Sequence, residues 1–365
     1  MPAQEPKASG LTSFTEVPVV DVSGLTSDAP HAQHQVADEL GRAAGEVGFL
    51  YVTGTGIDPQ LFTDLLEVTQ RFFSLPLEEK MRIYIGRSSC HRGYVPEGEE
   101  VFAGGTRDRK EAYDCGLELP PDDPDVLAGT PFLGPNQWPD LPGFEAAITA
   151  WYDAGMALGR RLLRGFALAL GQEPELFDAA VTKPPSQLRL LHYPYDPDAA
   201  DAVGIGAHTD YECFTLLKPT APGLEVLNAA GAWIDVPPLE DAFVVNVGDI
   251  LETWTSGRFV ATSHRVRKVS EQRWSFPLFF NVDYHTRVAP LPQFVQPGDL
   301  ERPPLVAGEH LFAQTAQTFR YLKDRVARDE ITLPEQALAL SSFGRVARQG
   351  QAAGQAQVAR RGGAG

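Results

Sequence analysis

The chain has 365 residues, 22% of them charged and 43% hydrophobic, and carries a formal net charge of −17. That length suits one large domain or two ordinary ones, and the apolar and charged fractions are those of a globular protein. So acidic a balance argues against nucleic acid and anionic membrane as partners, while a small-molecule substrate in a pocket of its own local charge stays open.

Residues 1–14 read as a loose leader; MPAQEPKASG has no apolar core and is not a signal peptide. VPVVDVSGL (17–25) reads as a strand, HAQHQVADELGRAAGEV as a helix, and FLYVTGTG (49–56) as a second strand. In IDPQLFTDLLEVTQRFFSLP, Asp58 suits a helix N-cap and Pro59 the first helical position. Leu61, Leu65, Val68 and Phe72 then form a helical stripe. The stretch 85–142 is rich in Gly and Pro, shows little periodicity and is long for a connection, so part of it is expected to fold over something. A long helix runs from about Phe144 to Leu170, with Phe144, Ile148, Trp151, Gly155, Leu158 and Leu162 on one face and Gly171 as its stop.

From Gln187 the pattern changes to short strands between turn residues: LRLLHYPY, GIGAHTDY, FTLLKP, GLEVLN, WIDVPP, AFVVNVGDILE, FVATSHRVRKV and RWSFPLFFNVDY. Their spacing predicts an all-β barrel or sandwich. One last helix, GEHLFAQTAQTFRYLKD, follows, and QGQAAGQAQVARRGGAG is a low-complexity tail expected to be disordered. The three cysteines, Cys90, Cys115 and Cys213, are scattered and odd in number, which fits a reducing cytoplasm rather than a disulfide framework. No apolar run reaches the length of a membrane span.

GIGAHTDYECFTLL puts His208 and Asp210 two positions apart in a strand-like run, and thus on one face. Burying a carboxylate and an imidazole is costly without a partner. The partner is either an ordinary hydrogen bond between the two or a metal ion. His264, on one face of FVATSHRVRKV with Val260, Thr262 and Val266, is the best-placed third group. Two imidazoles and one carboxylate make a mixed N/O set that leaves coordination positions open, the pattern of non-haem Fe(II) oxygenases; a structural zinc site closes its shell with four ligands, usually including Cys. Arg273, Ser275, Pro277 and Phe279 share a face in RWSFPLFF. Arg273 and Ser275 look like a carboxylate receiver, because a guanidinium offers a fixed fork of donors and serine a hydroxyl.

These motifs, in this order, resemble the isopenicillin N synthase-like group of Fe(II)/2-oxoglutarate-dependent oxygenases. HYPYDP ahead of His208, NVGDILETWTSGRFVATSHRV leading into His264, VPVVDVSGL with GFLYVTGTGID, and GYVPEGEE followed by DRKEAYDCG are similar to segments of that family; together the similarity spans roughly residues 15–325. The resemblance implies a mainly β fold with packed helices around a distorted double-stranded β-helix (jelly roll). Residues 15–180 would be an N-terminal mixed α/β region packed on that core, 181–325 the core with its closing helix, and 326–365 a tail.

It further implies Fe(II) on His208, Asp210 and His264, 2-oxoglutarate held by Arg273 and Ser275 with Tyr193 assisting, and O₂ as second co-substrate. A small molecule would be oxidised, usually hydroxylated, with release of succinate and CO₂. An oxidase of the same fold without 2-oxoglutarate, an ethylene-forming variant and a non-catalytic metal-binding jelly roll are the alternatives. Candidate substrate residues are Arg189, which shares a strand face with Tyr193; Tyr211 and Phe214, which follow the ligand pair; Phe279, in line with Arg273; and Glu99, as a receiver for a cationic substrate. The chain is read as a cytoplasmic monomer.

Overall fold

Alternating and continuous apolar strands pair into two main sheets that face one another. The computed structural model describes residues 10–101, 110–194, 203–267, 272–299 and 301–334. Residues 1–9 of the leader and the tail from 335 lie outside the described residues; residues 10–14 are not loose, since the Thr12 N–H donates to Glu46 O and Phe14 O accepts from the Asn228 amide at 2.7 Å. The strands of these two sheets are β1 (Val19–Asp21), β2 (Phe49–Thr53), β3 (Gly93–Val95), β4 (Glu111–Gly116), β5 (Gln187–Tyr193), β6 (Val203–His208), β7 (Phe214–Pro219), β8 (Leu224–Leu227), β9 (Trp233–Asp235), β10 (Phe243–Val247), β11 (His264–Arg267) and β12 (Arg273–Phe280). Eight of them form a major sheet in the order β1-β2-β10-β7-β12-β5-β4-β3, and four form a minor sheet, β6-β11-β8-β9. This is the jelly-roll sandwich expected, with β1 to β4 from the N-terminal region added to its larger sheet.

The longer helices are α1 (Pro30–Glu46), α2 (Pro59–Phe73), α3 (Phe144–Ala169), α4 (Ala307–Ala316) and α5 (Arg320–Ala327). Asp58 caps α2 by accepting from the Gln60 N–H at 2.9 Å, and Pro59 opens it. The core lies in two layers. Outside the major sheet, Leu65, Phe72, Ile148, Leu162 and Phe166 of α2 and α3 pack against Phe214, Leu216, Val245 and Phe280. The fit is tight: a Cβ at Gly159 would fall 2.3 Å from the Phe280 ring. Between the sheets, Phe49, Tyr51, Leu217, Val226, Val244 and Val266 form a second layer. Burying this much apolar surface is the main drive for the sandwich.

Three local expectations are corrected. The Gly- and Pro-rich stretch contributes β3 and β4, which extend the major sheet beyond β5. The strand read at FVATSHRVRKV starts only at His264; before it, the Val260 N–H goes to Ala44 O on α1. The single closing helix is broken at Phe319, whose backbone is extended (φ −85°, ψ 129°). The break has a cause far away in sequence: Thr318 O accepts from the Val101 N–H, and the Arg320 N–H donates to Glu99 O.

Candidate active site

The strand β6 ends at His208, so Asp210 does not share its face as a strand residue. It comes from a tight turn, Thr209–Cys213, between β6 and β7. Neighbouring backbone pins that turn: Asp249 N–H donates to Asp210 O, Ile250 N–H to Glu212 O and Gly248 N–H to Cys213 O. Only glycine fits at 248, because a Cβ there would lie 2.2 Å from Glu212 O. His264 opens β11 directly opposite His208 in the antiparallel pair, which brings the two rings to 4.4 Å between centroids.

The ligand atoms converge. Asp210 Oδ1 lies 3.6 Å from His208 Nε2 and 3.5 Å from His264 Nε2. One donor atom from each of the three residues falls within 4.8 Å of the others. The other polar atoms of the three residues are held so that these atoms face one another. His208 Nδ1 sits 2.8 Å from Gly206 O and His264 Nδ1 3.3 Å from Thr262 O. A carbonyl only accepts, so each Nδ1 carries the proton and each Nε2 presents a lone pair. Burial, with the neighbouring His264 ring, pushes His208 down to about 4, which keeps it neutral. Asp210 Oδ2 accepts from the Asn246 amide at 2.7 Å and from the Thr215 hydroxyl. One carboxylate oxygen is therefore fixed by protein and the other is turned to the imidazoles, a donor set suited to a metal with open positions.

Thr215 and Asn246 escaped the sequence reading, although Asn246 stands in the quoted NVGD segment. Partners of this kind set ligand orientation, and losing one typically costs about 10–100-fold in metal affinity. Asn246→Ala is expected to weaken Fe(II) binding by about that factor, measured by anaerobic titration, with the thermal transition of the apoprotein little changed.

On the major sheet, Phe279 pairs with Thr215, so β12 turns Arg273, Ser275 and Phe279 to the same inner face as the Asp210 partner. Arg273 is 1% exposed. Its Nε donates to Ala221 O at 3.2 Å, its guanidinium lies 4.9 Å from the Tyr193 ring centre, and its Nη1 is buried with no hydrogen-bond partner among the described residues. A buried guanidinium with an unused donor on the inner face fits a carboxylate ligand. Ser275 is buried one pleat along the same face. Phe279 is half-buried there, and Tyr211 is half-buried in the turn, 6.2 Å from the His310 ring on α4.

Three other candidates are placed elsewhere. Phe214 faces the helices, stacked on Phe280 at 4.8 Å and edge-on to Phe166; the turn shifts the strand's phase so that Thr215 takes the inner face. Glu99 accepts from the Tyr321 N–H at 2.9 Å and thereby caps α5. Arg189 is spent on two carboxylates, with Nε and Nη2 on Asp114 at 2.7 Å each and Nη1 on Glu100 at 2.5 Å. Lys110 completes the group, 2.8 Å from Glu100. Burial would raise Glu100, yet Arg189 and Lys110 outweigh it and hold it at about 2. Removing the central cation would strand two buried carboxylates, so Arg189→Met is expected to cost about 3–5 kcal/mol of stability in a denaturant titration, far more than a surface arginine.

A jelly roll whose inner face holds two imidazoles, one carboxylate and a buried arginine defines a non-haem iron oxygenase. Comparison with known proteins gives the family. Residues 17–141 match the model for the non-haem dioxygenase in morphine synthesis N-terminal region, and residues 184–282 match that of the 2OG-Fe(II) oxygenase superfamily. Homoarginine-6-hydroxylase 2-ODD-233 of Oryza sativa subsp. japonica is 34% identical over 84% of this chain and 99% of that protein. The 2-oxoglutarate-dependent dioxygenase tropC of Talaromyces stipitatus is 32% identical over 83% of this chain and 95% of its own length.

Among solved structures, a Neurospora crassa protein in complex with alpha-KG and thymine superposes with a TM-score of 0.71 at 26% identity, over 88% of this chain and all of that one. A putative 2OG-Fe(II) oxygenase family protein from Caulobacter crescentus gives 0.73 at 28%, over 86% of this chain and all of that one. The chain belongs to the 2OG-Fe(II) oxygenase superfamily. It is a 2-oxoglutarate-dependent dioxygenase that uses Fe(II), 2-oxoglutarate and O₂, and the reading without 2-oxoglutarate is set aside. No helix among the described residues is long and apolar enough to cross a membrane.

Proposed function

We propose that His208, Asp210 and His264 hold the Fe(II), that Arg273 and Ser275 receive the distal carboxylate of 2-oxoglutarate with Tyr193 alongside, and that the enzyme hydroxylates a small molecule next to them. The observation that carries this reading is the division of labour at Asp210: Oδ2 is tied to Asn246 and Thr215, while Oδ1 faces two Nε2 lone pairs. The bound iron would couple oxidative decarboxylation of 2-oxoglutarate to oxidation of a C–H bond, with succinate and CO₂ released.

The chain's own groups supply position and a dry wall. Backbone carbonyls fix the tautomer and orientation of both imidazoles. Arg273 offers Nη1 to a carboxylate in a site where water is excluded and a charge-assisted bond is strong. Tyr211 and Phe279 wall the remaining space. The three cysteines, all buried and unpaired, support a reducing, cytoplasmic setting.

Succinate formation over a panel of small molecules tests the function, beginning with homoarginine and thymine, which the names of the relatives supply. At least one compound is expected to yield hydroxylated product in step with succinate. Substrate oxidation that proceeds at full rate without 2-oxoglutarate would contradict it.

A further inference from the structure

A cavity of about 250 Å³ opens on the outer face of the major sheet, between the Gly54–Asp58 loop, α2, α3 and the ends of β7 and β10. It is separated from the iron site by the sheet itself: Thr215 and Asn246 reach Asp210 from the inner face, whereas Lys218 and Phe243 of the same two strands line this cavity. The volume lies just under the roughly 300–1,000 Å³ of sites for drug-sized ligands, which restricts an occupant to about one ring and a short polar head.

The lining has two chemistries. Phe62, Trp151 and Phe243 make an aromatic wall, with Trp151 and Phe243 stacked at 5.5 Å and Phe62 tilted on Trp151 at 5.4 Å. Set into that wall is one cation. Lys218 Nζ lies 5.6 Å from the ring centres of both Phe62 and Phe243 and donates to Ala242 O at 2.8 Å. An ammonium carries three donors, and no carboxylate lies within ion-pair distance of this one among the described residues. Burial pushes the pKa of Lys218 down, against Asp241 and Glu240, as expected of a cation short of a counter-charge. The carboxylates that line the cavity, Asp58 and Asp241, are exposed at its rim. A lone anion would be repelled by the rim and a lone cation by the floor.

We propose that this cavity is a second ligand site, selective for a zwitterionic α-amino acid with an aromatic or apolar side chain. The carboxylate pairs with Lys218, the ammonium with Asp241, and the side chain stacks on the aromatic wall. The proposal is independent of what the iron site oxidises.

Calorimetric titration of the intact protein with L-phenylalanine, 3-phenylpropanoate and 2-phenylethylamine tests it. L-Phenylalanine is expected to bind saturably, and each singly charged analogue at least about tenfold more weakly. Lys218→Met and Asp241→Asn should each lose about tenfold, whereas His208→Ala should bind as the unmodified protein does, which places binding away from the iron. Succinate formation by Lys218→Met serves as the control for folding; should that variant not fold, the analogue series and Asp241→Asn decide. Equal binding of phenylpropanoate, unchanged binding by Lys218→Met or Asp241→Asn, loss of binding in His208→Ala, or no saturation at millimolar ligand would each overturn the proposal.

Discussion

Replacing Asp210 with alanine is expected to abolish succinate formation and to lower Fe(II) affinity by more than the 10–100-fold typical of losing an orienting partner. The carboxylate supplies the only formal negative charge in the cluster of three, and it stands 3.5–3.6 Å from both imidazole nitrogens through a single oxygen. Without it two neutral rings remain, and neither offsets the charge of a divalent ion. The Asn246 amide and the Thr215 hydroxyl would also lose their acceptor, so a water recruited to them cannot restore the charge. Asp210→Asn separates charge from shape: the amide keeps the volume but its nitrogen cannot accept from Asn246. Its activity should stay near that of the alanine variant. Fe(II)-dependent succinate release under air is the measurement, and a variant retaining a tenth of the activity would contradict the assignment.

Arg273→Met has the second largest expected effect, and on a different quantity. Truncating one partner of a buried, hydrogen-bonded charge pair costs about 2–5 kcal/mol, which is about 30–4,500-fold in the apparent KM for 2-oxoglutarate. Fe(II) binding should be nearly unchanged, because Arg273 does not touch the three ligand residues. Folding should survive as well. The arginine donates to Ala221 O and lies against Tyr193, and burial pushes its pKa down, so an apolar replacement relieves a desolvation cost. Arg273→Lys keeps the charge and loses the fork, and an intermediate KM is expected. A structural role confined to Ala221 predicts the reverse pattern, with stability lost and KM unmoved.

What the sequence shows and hides follows from the range of the interactions. His208, Asp210 and His264 are legible because metal chemistry narrows the residue types to a few. Arg273 and Ser275 are legible because a period of two places them on one face. The cap at Asp58 is local and was readable for the same reason.

The misplaced residues depend on contacts distant in sequence. Phe214 is a candidate in the sequence only because it follows the ligand pair. The turn at Thr209–Cys213 resets the alternation, and a shift of one residue moves every side chain to the other face. Arg189 does lie on a face with Tyr193, but Asp114 and Glu100, from a stretch with no readable period, claim it first. That stretch hid β3 and β4 because its strand residues include buried charges such as Asp114, which mask the apolar alternation. The break at Phe319 has no local signal, since it is set by pairing with residues 99–101.

Anaerobic addition of Fe(II) and then 2-oxoglutarate, followed by visible absorption, tests the central claim most directly. The proposal that His208, Asp210 and His264 together hold one iron chelated by the 2-oxo acid predicts a weak charge-transfer band at one equivalent of metal, absent in His208→Ala, Asp210→Ala and His264→Ala alike. A band that persists in any one of these three variants would show that the iron is held elsewhere.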